Sequence, residues 1–135
     1  MDLEKVSLNL TPAELGQIDL LVAQGLFASR TDVIRSGIHR VLDAHQATVE
    51  RVVQGSTGLG FMVVTREELE RARRRKERLR MFVIGVLRID ETVTPDLADA
   101  AIEHIYVLGA LRASGPVTKR LGDRVVRGLP ANLTR

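Results

Sequence analysis

Near the start of the chain, Lys5-Val6-Ser7-Leu8-Asn9-Leu10 alternates polar and apolar side chains with strict period two. Such alternation marks a strand with one buried face, here Val6, Leu8 and Leu10. The next residues read as helix, so this strand has no partner in its own segment. Thr11-Pro12-Ala13-Glu14 is a helix start, with Thr11 as cap, Pro12 in the first turn and Glu14 closing a capping box. Leu15, Ile18 and Val22 recur at helical spacing, Leu21 broadens the stripe, and Gly25 is a stop. Ser29-Arg30-Thr31-Asp32 opens a second helix whose apolar stripe runs through Val33, Ile34, Ile38, Val41 and Leu42. The same phase continues through Val49, Val52 and Val53, which predicts one helix reaching Gln54.

One strand and two helices bury no adequate core, and a lone strand leaves its backbone groups unpaired. A homodimer solves both problems if the two strands pair antiparallel above four interlocked helices. Lys5, Ser7 and Asn9 then project from the outer face of a two-stranded ribbon, which fits the major groove of double-stranded DNA. Lysine donates to guanine O6 and N7, asparagine pairs bidentately with adenine, and serine is permissive. For an isolated strand the plainer reading is a solvated polar face.

With these residues in view, the stretch from Glu4 to His45 resembles the ribbon-helix-helix family, in the form of small plasmid copy-number-type repressors. The resemblance rests on the Lys5–Leu10 strand, the Thr-Pro-Ala-Glu start and the block Ser29-Arg30-Thr31-Asp32-Val33-Ile34-Arg35. It implies a bacterial or phage-type transcription regulator in which the second helix's N-terminal amides clamp a DNA phosphate. Ser29, Arg30 and Thr31 are then the phosphate-contact candidates, consistent with anion binding at a helix N-terminus. Capping by Ser29 is the simpler role and is compatible with that contact. Gly37 departs from the family's frequent alanine and would allow close helix approach in the dimer.

Charge distribution opposes a strongly basic reader. Residues 1–58 carry five basic and seven acidic side chains, a net of −2, whereas residues 59–135 carry fifteen and ten, a net of +5. Few phosphate contacts predict weak binding by one dimer and a shallow salt dependence, with several dimers on repeated sites compensating. The densest positive run includes Arg73, Arg74, Arg75 and Lys76, a candidate accessory basic patch for DNA or an acidic partner. Its alternative is a solvated helix face, partly neutralised by Glu67, Glu68 and Glu70 at helical neighbour spacings.

Gly55-Ser56-Thr57-Gly58-Leu59-Gly60 reads as a linker, dividing the chain into domains 1–54 and 61–135. Beyond it, strands are expected at Phe61–Val64, Met81–Ile89 and Ile105–Leu111. Helices are expected from Arg66 to about Leu79 and from Thr94-Pro95-Asp96 to near His104, giving a small α/β unit of βαβαβ type with parallel pairing. Phe82-Val83-Ile84-Gly85-Val86-Leu87-Arg88 is echoed by Tyr106-Val107-Leu108-Gly109-Ala110-Leu111-Arg112 at an offset of 24 residues, and Val93-Thr94 by Val117-Thr118. Equivalent strands side by side would explain the echo, either as stacked repeats extended by a partner chain or as one βαβ unit.

Zero cysteines exclude disulfides, thiolate zinc sites and cysteine nucleophiles. Three phenylalanines, one tyrosine and no tryptophan make a poor base-stacking surface for single strands. No apolar run spans a membrane, and the acidic Met1-Asp2-Leu3-Glu4 start lacks signal-peptide character, so a cytoplasmic protein is expected. His39 and His45 are six residues apart and His104 stands alone, so neither a metal nor another cofactor is expected. No phosphate loop, nucleophile elbow or zinc-protease motif appears, and enzymatic activity is not expected.

The expected fold class is α+β, a ribbon-helix-helix dimer module followed by the α/β domain. The expected function is a DNA-binding repressor whose residues 61–135 oligomerise or regulate it. Two rivals remain open: an assembly scaffold built on the C-terminal echo, and an antitoxin whose C-terminal half wraps a toxin.

Overall fold

Hydroxyl caps set where the helices begin. In the computed structural model, which describes residues 3–133, Thr11, Ser29, Thr65, Thr94 and Ser114 each accept a backbone N–H three residues on, at 3.2 to 3.4 Å. They start α1 (Pro12–Ala23), α2 (Arg30–Ala44), α4 (Arg66–Arg74), α5 (Pro95–Ala101) and α6 (Gly115–Leu121). At Thr11 and Thr65 the box is reciprocal, because Glu14 and Glu68 accept the cap residue's own N–H. Internal contacts divide the chain into two compact units, residues 1–50 and 51–135.

In the first unit, α1 stops two residues before Gly25, whose φ of +75° suits glycine. The expected strand Lys5–Leu10 is not a strand in the single chain, since residues 3–11 carry no regular structure. A strand exists only by pairing, and this segment has no second strand to pair with. The single long helix expected to Gln54 is also broken. His45 leaves helical geometry (φ −113°, ψ 22°), its ring Nδ1 lies 2.9 Å from the Val41 carbonyl, and α3 (Gln46–Gln54) begins afresh. The Val41 carbonyl thus lies within reach of both the His45 N–H, at 3.2 Å, and the imidazole, and the Leu42 carbonyl also accepts the His45 N–H.

In the second unit, β1 (Gly58–Val64), β2 (Leu79–Ile89), β3 (Ile102–Arg112) and β4 (Val125–Val126) form a parallel sheet in chain order. A one-turn 3-10 helix, Gly122–Arg124, joins α6 to β4. Part of the stretch expected as a linker belongs to this sheet, because Gly58, Leu59 and Gly60 open β1. Just before them Thr57 donates its N–H to the Phe82 carbonyl (2.6 Å), while its hydroxyl accepts the Phe82 N–H (2.9 Å). The strands begin two or three residues earlier than expected. α4 ends at Arg74, five residues short of Leu79, and soon after it Lys76 takes a positive φ of 57°.

The 24-residue echo is a register. Phe82 pairs with Tyr106, Gly85 with Gly109 and Arg88 with Arg112. The extension to Val93-Thr94 and Val117-Thr118 has no structural counterpart, since Thr94 caps α5 whereas Thr118 lies inside α6, capped by Ser114. Gly60, Gly85 and Gly109 form a row across the sheet at φ +98°, +127° and +127°. A Cβ at Gly85 would strike the Gly60 carbonyl, and one at Gly109 would strike that of Gly85, so side chains are excluded along the row.

Alternate residues of each strand build one core. Met81, Val83, Leu87 and Ile89 of β2, with Ile105 and Val107 of β3, pack with Leu69 of α4, Leu97 and Ala98 of α5, and Val117 and Leu121 of α6. All three helices therefore lie on one side of the sheet. Among the described residues, no helix is long and apolar enough to cross a membrane.

Candidate nucleic-acid interface

The candidate interface is assembled from the first unit, whose packing is unusual for a folded segment. None of residues 3–50 is buried. Val6 is 85% and Leu8 63% exposed, and Leu20, Ile38, Val41 and Leu42 are also more than half exposed. The two helices thus present an apolar surface that one chain does not cover. Burying a Val, Leu or Ile side chain fully is worth about 1.5–3 kcal/mol, so this surface dominates the energetics of the unit.

Lys5, Ser7 and Asn9 are exposed, and so are Val6 and Leu8 between them. The alternation therefore separates two chemistries, three polar groups able to read base edges and two apolar groups with nothing yet against them.

The second element is the start of α2. Ser29 is extended (φ −158°, ψ 168°), and its Oγ accepts the Asp32 N–H at 3.2 Å. The cap uses one of the free N-terminal amides and leaves the others at the positive end of the helix, beside the exposed Thr31. That end is suited to an anion. Asp32 in the first turn already supplies one negative charge there.

Arg30 has a role that the sequence reading missed. Its Nε donates to Asp19 Oδ1 at 2.7 Å and its Nη2 to Asp19 Oδ2 at 2.8 Å, a bidentate clamp between α1 and the first residue of α2. Hydrogen bonding to Arg30 holds the Asp19 carboxyl below its ordinary value of 3.8, and raises Arg30 in turn. Both side chains are about half exposed, so the clamp orients the helix pair more than it stabilises it. Any anion brought to Arg30 would have to share or displace that carboxylate. The signal was present as opposite charges flanking the predicted turn, but an eleven-residue separation is not a helical neighbour spacing.

The basic run lies in the second unit. Arg73 and Arg74 end α4, Arg75 caps it and Lys76 follows in the turn, all exposed. Glu70, expected to face Arg73 and Arg74, instead accepts from Arg66, whose Nε donates to it at 2.8 Å. Arg73 and Arg74 add only a weaker field at Glu70, whose carboxyl is lowered first by the Arg66 hydrogen bond.

Gly37 faces open space, with nothing in the chain within 4 Å of a Cβ placed there. No close approach within one chain therefore calls for glycine at this position.

The model of a family described as "Ribbon-Helix-Helix transcriptional regulator family" matches residues 1–118, well beyond the N-terminal third. No curated protein and no solved structure matches the chain.

Proposed function

This chain belongs to the ribbon-helix-helix transcriptional regulator family, a class that binds DNA as a dimer, and from that premise we propose a homodimeric, sequence-specific regulator, most simply a repressor. The observation that carries the proposal is the uncovered apolar surface of residues 3–50, interrupted at every second position of the strand segment by Lys5, Ser7 and Asn9. Two copies cover Val6 and Leu8 by pairing their segments, and each ribbon then offers six polar side chains to the major groove. Ser29 and Thr31 seat the α2 N-terminus on a backbone phosphate, which fixes register without reading sequence. Arg30 holds that terminus in place through Asp19 and contributes charge beside the phosphate.

In this reading the DNA module lies N-terminal to the sheet that opens at Gly58, and the unit containing that sheet governs assembly or response. Arg73, Arg74, Arg75 and Lys76 add a sequence-independent phosphate contact. The net −2 of residues 1–58 keeps nonspecific affinity low, so discrimination falls to the base contacts.

The test is a DNA shift assay with the protein's own upstream region, comparing wild type with Lys5→Ala/Asn9→Ala. Each base contact is worth about 1–3 kcal/mol of discrimination. Selective binding should vanish in the variant while the dimer persists. Absence of binding by wild-type dimers at low salt would overturn the proposal and favour the scaffold reading.

A further inference from the structure

Towards the N-terminal ends of β2 and β3 the second unit holds a cleft of about 350 Å³. That volume lies at the small end of the range for ligand sites, roughly 300–1,000 Å³. Four separate stretches of chain build it. Thr57 comes from the approach to β1, Arg80 and Phe82 from β2, Tyr106 from β3, and Pro130 and Asn132 from near the end of the chain. The last pair is held in place locally. A one-turn 3-10 helix, Ala131–Leu133, closes with the Leu133 N–H donating to the Pro130 carbonyl at 2.9 Å. The Leu133 side chain lies over Gly55, 2.8 Å from where a Cβ would stand, and anchors the turn beside the cleft.

The walls combine aromatic surface with unspent hydrogen-bond donors. Phe82 and Tyr106 stand opposite each other in register, and His104 stacks on the Tyr106 ring with centroids 6.0 Å apart. Arg80 approaches Glu103 only through Nε, at 4.0 Å, and with 61% of its side chain exposed it keeps its terminal Nη fork for another acceptor. The Thr57 hydroxyl accepts the Phe82 N–H and retains its own proton to donate. Among the described residues, neither the Tyr106 hydroxyl nor the Asn132 amide has a hydrogen-bond partner. One guanidinium and no carboxylate line the cleft, which makes it an anion receptor with an aromatic wall.

We propose that the cleft binds a small aromatic carboxylate. The ring of that ligand rests against Phe82 and Tyr106, and its carboxylate bridges the Arg80 Nη fork and the Asn132 amide. A guanidinium fork and a carboxylate match bidentately, and an aromatic body gains ring contacts that an aliphatic acid lacks. The site gives the second unit a ligand to respond to, while the binding itself does not depend on the DNA reading.

Tyr106 is the only tyrosine and the chain has no tryptophan, so its ring resonances report on the cleft in full-length wild-type protein. Phenylacetate is titrated against them by NMR, beside acetate, which lacks the ring, and benzylamine, which reverses the charge. The expected result is a saturable shift with phenylacetate alone, with a dissociation constant on the order of 1 mM or below. Arg80→Gln should weaken that binding at least about tenfold. Glu103→Gln, which removes the competing carboxylate at Nε, should bind at least as tightly as wild type. No saturable shift with phenylacetate would overturn the proposal, and so would an equal response to acetate or to benzylamine. Undiminished binding in Arg80→Gln, or binding lost in Glu103→Gln, would overturn the role of the Nη fork. None of these outcomes bears on the DNA reading, which the shift assay tests separately.

Discussion

The glycine row allows a stability experiment whose magnitude comes from backbone geometry. An alanine at Gly85 incurs two penalties. Its φ of +127° is a conformation that L residues avoid, worth about 1–3 kcal/mol. Its Cβ would also lie 2.9 Å from the Gly60 carbonyl carbon and 3.0 Å from the Gly60 Cα, nearer still to the oxygen. Those atoms are backbone in a paired strand and yield only by opening the sheet, which adds about 1–3 kcal/mol. Gly60→Ala incurs the first penalty alone, because at φ +98° nothing lies within 4 Å of its Cβ. The difference between the two variants isolates the steric part. For a unit of 85 residues, 1 kcal/mol moves the midpoint by roughly 4–8 °C. Gly85→Ala should therefore melt at least about 4 °C below Gly60→Ala, as read by far-UV circular dichroism, with Gly109→Ala resembling Gly85→Ala. Equal losses for Gly60→Ala and Gly85→Ala would refute the stacked row.

Other consequences are equally direct. Leu8→Asp, at a position 63% exposed in one chain, should convert the dimer to monomer or unfold residues 3–50; light scattering with unchanged dimer mass would contradict the apolar role of that face. Arg30→Gln should raise the Asp19 titration midpoint towards 3.8 in NMR. Because the folded value is depressed, the wild-type contribution is present above 3.8 and fades as pH falls through the folded value. Arg124→Ala removes donors to the carbonyls of Asp99 and Ile102 and to the Asp99 carboxylate, and should destabilise the second unit by about 1–3 kcal/mol in urea unfolding. Arg73→Ala/Arg74→Ala/Lys76→Ala should flatten the salt dependence of DNA binding without altering which site is preferred.

Period-two alternation at Lys5–Leu10 and the hydroxyl caps were decided by sequence alone, because both depend on residues within a few positions of each other. Thr11, Ser29, Thr65 and Thr94 start helices where their own hydroxyls can satisfy a free amide, whatever surrounds them. The echo of Phe82–Arg88 in Tyr106–Arg112 carried the register of β2 on β3, since equivalent strands in a repeat occupy equivalent places. The same comparison failed one turn later at Thr118, where a loop of different length carries the helix start to Ser114. The Asp19–Arg30 clamp depended on which carboxylate came within reach, and no periodicity encodes that. Only the tertiary structure decided that α4, α5 and α6 share one side of the sheet. Hydrophobic patterning makes both faces of a parallel strand apolar, and it does not say which face the chain covers and which it leaves bare.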